Sequence, residues 1–188
     1  MIWLIIGVTL WSGVHFIPTL AQPLRQSLIT RLGDGRYRLV FSFVVVASII
    51  LMVMGWRSTP DTLLYQLPEW SRPIGVVLMW FALFLFAAAR SPSAIKRLIK
   101  HPQLMSMVVW GVSHLMTNGT TRSLVLFGGL GIWALVEMPL INARDGVPKP
   151  KPSTGLAGDL KIAAIASVLF AVLMFLPPYI AGVSVIPA

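Results

Sequence analysis

Residues 38–56 read RLVFSFVVVASIILMVMGW. From Leu39 to Trp56 no side chain carries a charge. At about 1.5 Å of rise per residue, a helix of that length nearly crosses a hydrocarbon core about 30 Å thick. Lipid offers no hydrogen bonds, so a segment of this kind must satisfy its own backbone, and a helix does so locally. Working outward from it, further apolar segments lie at about 2–21, 73–89, 102–118, 123–141 and 160–180. Six such spans joined by short loops occupy most of the 188 residues. The expected fold class is all-α: a polytopic membrane helix bundle of about six transmembrane helices, with residues 1–188 as a single domain. Pro73 and Pro102 fall in the first turns of their helices, where a missing N–H costs little. Pro177 and Pro178 mark a kink or the end of the last helix.

Composition agrees. Apolar residues make up 56% of the chain and charged residues 11%, with a mean hydropathy of +0.82. Soluble domains carry about 25% charged residues. The net charge of +9 does not indicate nucleic-acid binding, because the charges sit in short loops beside apolar segments. There they set orientation and meet anionic headgroups, so the first expected partner is the lipid bilayer. There is no cysteine, which excludes disulfides, thiolate catalysis, iron–sulfur clusters and Cys-ligated zinc. The first segment has no basic residue ahead of it and carries Trp3, Trp11 and His15. Signal peptides open with a positive region, so this segment is expected to stay as a transmembrane helix.

The basic residues then orient the bundle. The first loop holds Arg25, Arg31, Arg36 and Arg38; the second Arg57 and Arg72. The third holds Arg90, Lys96, Arg97 and Lys100; the fourth only Arg122; the fifth Arg144, Lys149, Lys151 and Lys161. Basic loops favour the cytoplasmic side. Loops one, three and five are therefore expected in the cytoplasm and both termini on the opposite side. Val147–Pro152, with proline at every second position, reads as a stiff connector or a docking segment.

Polar residues inside spans are costly and usually face the bundle interior. His15 lies near the cytoplasmic end of helix 1, His101 at the mouth of helix 4, and His114 thirteen residues further on. That separation is about 20 Å along the helix. His101 and His114 are therefore not expected to share one ion, whereas His15 and His101 could meet. Each histidine can equally be a neutral imidazole bonded to a carbonyl or hydroxyl. Glu137 is the one carboxylate inside a span, with Trp133 a turn before it. Its expected partner is Arg144, Arg38 or another cytoplasmic-end base, with a proton-relay or metal role as the alternative. Trp11 with His15, and Met107, Trp110, His114 and Thr117, form two aromatic–histidine stripes. Such stripes either pack helices or line a flat cofactor with an imidazole as axial ligand. Gly128, Gly129 and Gly131 read as a close-packing surface, and Trp56 and Trp70 as members of the outer aromatic belt.

Several pieces together resemble the NnrU family of bacterial membrane proteins. They are Gly13-Val14-His15, Leu32-Gly33-Asp34-Gly35 with the run from Arg36 to Phe41, and Lys100-His101-Pro102-Gln103-Leu104. Trp110, Ser113-His114-Leu115, Asn118-Gly119 and the run from Leu124 to Trp133 complete the resemblance. It implies a setting of nitrite and nitric oxide reduction (denitrification), alongside respiratory or denitrification membrane proteins. The family is similar in turn to 15-cis-zeta-carotene isomerase, which implies haem b and matching positions at His15, His101 and His114. Where that isomerase carries a histidine pair, this chain reads Ile132-Trp133-Ala134. The Lys-His-Pro motif also resembles membrane isoprenylcysteine-type methyltransferases.

The expectation is thus a haem b protein with His15 or His114 on the iron, or His101 opposite His15. Trp11 and Trp110 would supply walls. Arg36, Arg38, Arg97 or Lys100 would pair with propionates, and Glu137 and Asn118 would stand close by. The alternatives are a membrane enzyme on a lipophilic substrate, either polyene isomerase or S-adenosylmethionine-dependent methyltransferase, and a non-catalytic assembly or transport factor.

Overall fold

The computed structural model describes residues 1–149 and 155–175. Among these, seven helices form the fold and there is no strand. They are α1 (Ile2–Leu20), α2 (Gln22–Leu32), α3 (Asp34–Ser58), α4 (Ser71–Ala89), α5 (Pro102–Thr117), α6 (Thr121–Asp145) and α7 (Gly155–Phe175). Five of them, α1, α3, α4, α6 and α7, are long and apolar enough to cross a membrane. With side chains such as Phe43, Val77 and Ile132 more than 60% exposed, the outer surface is lipid-like. The protein is a multi-pass membrane bundle. The expected kink at Pro177 and Pro178, and the Pro150–Pro152 part of the connector, lie outside the described residues.

Two departures from the sequence expectation matter. The first loop is mostly helical: α2 has eleven residues, none buried. Its polar composition hid it from an apolar scan. The fourth expected span, α5, has only sixteen residues, about 24 Å of helix. Its C-terminal end is completed by extended backbone. Gly119 O accepts from Leu64 N and Tyr65 N, and Thr62 O accepts from Thr121 N. The segment between α3 and α4 thus folds back and satisfies peptide groups that lipid could not. Tyr65 Oη donates to Leu115 O at 2.7 Å, and Ser71 Oγ to Met116 O at 2.9 Å.

Helices in lipid gain little from apolar burial and associate through close backbone approach and small polar side chains. The most extensive pairings are α4 with α5 and α1 with α3. At the α1–α3 crossing, Gly7 and Gly55 each leave no room for a methyl group against the opposing backbone. At α4–α5, buried Ser113 donates to Gly75 O at 2.7 Å. The glycines expected to pack α6 divide. Gly129 lies against Val8 of α1, whereas Gly131 faces open space. A core of Leu4, Met52 and Leu130 joins α1, α3 and α6, with Trp11 and Trp110 packed against it.

Candidate functional site

α6 touches all three histidines, each at a different height. His114 stacks on Phe127, with ring centroids 4.1 Å apart. His15 meets Trp133 edge-on at 5.0 Å. His101 Nε2 lies 2.7 Å from Asn142 Oδ1. Phe127 and Trp133 are six residues apart, and Trp133 and Asn142 nine. At about 1.5 Å per residue the stations are about 9 Å and 13 Å apart along the axis. His15 and His101, which sequence depth allowed to meet, are therefore held separately. Among the described residues there is no group of three or more metal-ligating side chains.

His15 and His114 share a local device. His15 Nδ1 lies 2.7 Å from Trp11 O, and His114 Nδ1 3.0 Å from Trp110 O. In each case the partner is the carbonyl four residues back. A carbonyl only accepts, so Nδ1 carries the proton and Nε2 is left as the nitrogen with a lone pair. Each ring also contacts its own tryptophan: 4.5 Å and stacked for Trp11, 4.9 Å and tilted for Trp110.

Their surroundings differ. His15 sits in an aromatic box made by Trp11, Phe41 of α3 at 5.4 Å and Trp133 of α6. Trp11 and Trp133 stand edge to face at 5.8 Å. The indole N–H groups of both are buried and have no hydrogen-bond partner. Two unmet donors beside one imidazole are unusual, since buried polar groups are nearly always paired. The His114 ring is instead flat against Phe127, which also touches Trp110 at 4.8 Å and Trp56 at 5.6 Å. Phe127 lies in a π-helical stretch, Leu124–Gly128, that no residue pattern announces. Stretches of this kind recur at functional sites.

Glu137, one turn beyond Trp133, is buried. Glu137 makes no contact ion pair with Arg144 or Arg38, although Arg144 stands near enough to act on it through its charge. Thr19 Oγ1 of α1 donates to Glu137 Oε2 at 3.4 Å. Arg144 instead pairs with the adjacent Asp145 and donates to Pro18 O at 2.9 Å. That carbonyl lies near the end of α1, within reach of a guanidinium on the last turn of α6. Arg38 forms an exposed pair with Asp34 one turn earlier on α3, at 2.7 Å. Lys100 donates to Arg97 O at 3.0 Å, beside the start of α5. Asn118 Nδ2 donates to His114 O at 3.2 Å and to Thr117 Oγ1 at 2.9 Å, closing the end of α5.

Trp56, expected in the aromatic belt, turns inward beneath Arg122, whose guanidinium lies 4.5 Å from the ring centroid. Arg122 also pairs with Asp61 at 3.0 Å. Trp70 is 61% exposed, as a belt residue would be.

The model of the family described as "NnrU protein" matches residues 3–185. Comparison with curated proteins and with solved structures found no match. The family match runs through every helix described above and takes in His15, His101 and His114 with their contacts on α6. On that near-complete coverage, the chain belongs to the NnrU family.

Proposed function

We propose that this membrane protein holds haem b at His15 and serves nitrite or nitric oxide reduction in the bacterial inner membrane. The basic loops would face the cytoplasm and both termini the periplasm. One observation carries the choice of site. The His15 ring is pinned through Nδ1, boxed by three aromatic side chains, and flanked by two buried indole N–H groups without acceptors. His114 shares the pin but touches Trp110 and Phe127 with no unmet indole donor against its ring.

His15 is the one imidazole at this level of the bundle, so a haem here would be held by a single histidine. His15 Nε2 would be the ligating nitrogen, and the Trp11 carbonyl, holding Nδ1, would fix the tautomer and raise ligand basicity, as outer-shell acceptors do. Trp11, Phe41 and Trp133 exclude water and supply apolar walls. Haem bound here supplies one-electron chemistry, with a potential set by its axial ligand and by burial. Glu137 and Thr19 provide a carboxyl and hydroxyl pair one turn away, able to hold a proton near the site.

The test is optical. Detergent-purified wild type should show a Soret band, and His15→Ala should lose it. His101→Ala and His114→Ala should keep it. A colourless wild type, reconstituted with haem and still colourless, overturns haem binding. An unchanged spectrum in His15→Ala overturns the ligand.

A further inference from the structure

Two cavities open on one flank of the bundle and share a wall. The first, about 580 Å³, lies between α1, α2 and α3, with Leu10, Gly13, Ile17, Leu28 and Val40 in its lining. Every side chain that lines it is apolar except Thr9 and Tyr37. The second, about 700 Å³, lies at the basic end beside Pro18, with Arg25, Arg38 and Arg144 around it. Tyr37 and Phe41 line both.

The charges in the second cavity do not cancel. Its lining has three guanidinium groups and one carboxylate, Asp145, which Arg144 holds. Arg38 is paired outside the lining, with Asp34. Arg25 makes no ion pair among the described residues, and its guanidinium lies 6.0 Å from the Tyr37 ring centroid. The Tyr37 hydroxyl, where the cavities join, is buried and has no hydrogen-bond partner. The first cavity reaches the lipid-facing surface, where Ile5, Ile6 and Val40 are 40–50% exposed or slightly more.

We propose that the two cavities form one site for an anionic phospholipid. The phosphate sits among Arg25, Arg38 and Arg144, and one acyl chain lies in the groove beside Gly13. An acyl chain leaving the bilayer for this groove exchanges one apolar setting for another, so selectivity comes from the headgroup. Guanidinium groups suit it, because they bind phosphate through paired N–H donors. α2, lying along the groove with no buried residue of its own, gains a partner for Leu28.

The experiment is native mass spectrometry of the full chain in a non-ionic detergent. Phosphatidylglycerol and phosphatidylcholine with matched acyl chains are offered together. Phosphatidylglycerol should be strongly preferred. Arg25→Gln should lower that preference about fivefold, the effect of one basic residue at a membrane surface. Gly13→Phe should abolish binding with the thermal transition kept, since no atom lies within 4 Å of a methyl group built at Gly13. Haem content on the same samples should not change. Equal binding of the two lipids, or undiminished occupancy in Gly13→Phe, overturns the proposal. Displacement by glycerol 3-phosphate would assign the pocket to a soluble anion and overturn it too. Haem loss in Gly13→Phe would place haem in the groove instead of lipid.

Discussion

Gly7→Ala adds one methyl group at the crossing of α1 and α3. That methyl would meet the Met52 backbone nitrogen and Cγ at 2.8 Å and Ser48 O at 2.9 Å. Two of the three are backbone atoms, which no rotamer change can move. An ordinary contact of about 3.5 Å requires the helices to part by about 0.6 Å. A gap of that size forfeits about a quarter to a half of each pairwise attraction across the crossing. Leu4 and Met52, both in the core, lose most. Overpacking of this kind costs about 1–3 kcal/mol, and alanine returns up to about 1 kcal/mol over glycine in a helix. The net cost should therefore be about 0–2 kcal/mol, toward the upper end because two of the opposing atoms are backbone. Gly13→Ala is the matched control on the same helix, with no atom within 4 Å of the new methyl. Helical circular dichroism followed against sodium dodecyl sulfate fraction in mixed micelles reads the difference. Gly7→Ala should unfold at a lower fraction than wild type, and Gly13→Ala at the same or a higher one. Coincident transitions for the two variants would refute the claim that backbone contact at Gly7 holds α1 to α3.

Three further outcomes follow from other contacts. Arg122→Ala removes the pair to Asp61 and the cation over Trp56, and should cost about 1.5–3 kcal/mol with a shifted tryptophan emission; an unchanged emission maximum would contradict the packing. Asp159→Ala deletes the acceptor of Ser93 Oγ at 2.6 Å and Ala94 N at 3.2 Å, so the segment after α4 should exchange amide hydrogens faster, as mass spectrometry after deuteration would read. Burial raises the Tyr65 phenol above its ordinary value of 10.0, so the folded state favours the neutral form that donates to Leu115 O. Its contribution is complete below pH 10 and is lost as pH rises through the raised value; Tyr65→Phe should lack this alkaline loss and be about 1 kcal/mol less stable at neutral pH.

Much of the architecture was legible because lipid imposes one rule on every span. Uncharged runs such as 39–56 can only be helices there, and the basic loops 25–38 and 90–100 mark one end of the bundle. The two Trp–His pairs were legible too, since residues four apart on a helix are neighbours. What those pairs face was not. Phe41, Phe127 and Trp133 carry no periodic signal that ties them to a histidine on another helix. The π-helical stretch at Leu124–Gly128 likewise depends on how α6 fits against α5, where Gly111 lies close to Phe127 O. α2 escaped because eleven mostly polar residues resemble a loop. Its presence creates the flank with the two cavities. The contact that Glu137 makes, with Thr19, was not legible because charge alone pointed to Arg144. Pro18 in α1 offers that arginine a carbonyl, and Asp145 beside it offers a carboxylate.

Five helices are long enough to cross, and the first, third and fifth loops share one side of the membrane only if the shorter α5 crosses as well. Paired reporter fusions measure this most directly. Alkaline phosphatase inserted after Gly119 should be active, and green fluorescent protein fused after Val147 should fluoresce in the cytosol. Fluorescence from the Gly119 fusion with phosphatase activity from the Val147 fusion would contradict the account and put His15 nearer the opposite side of the membrane.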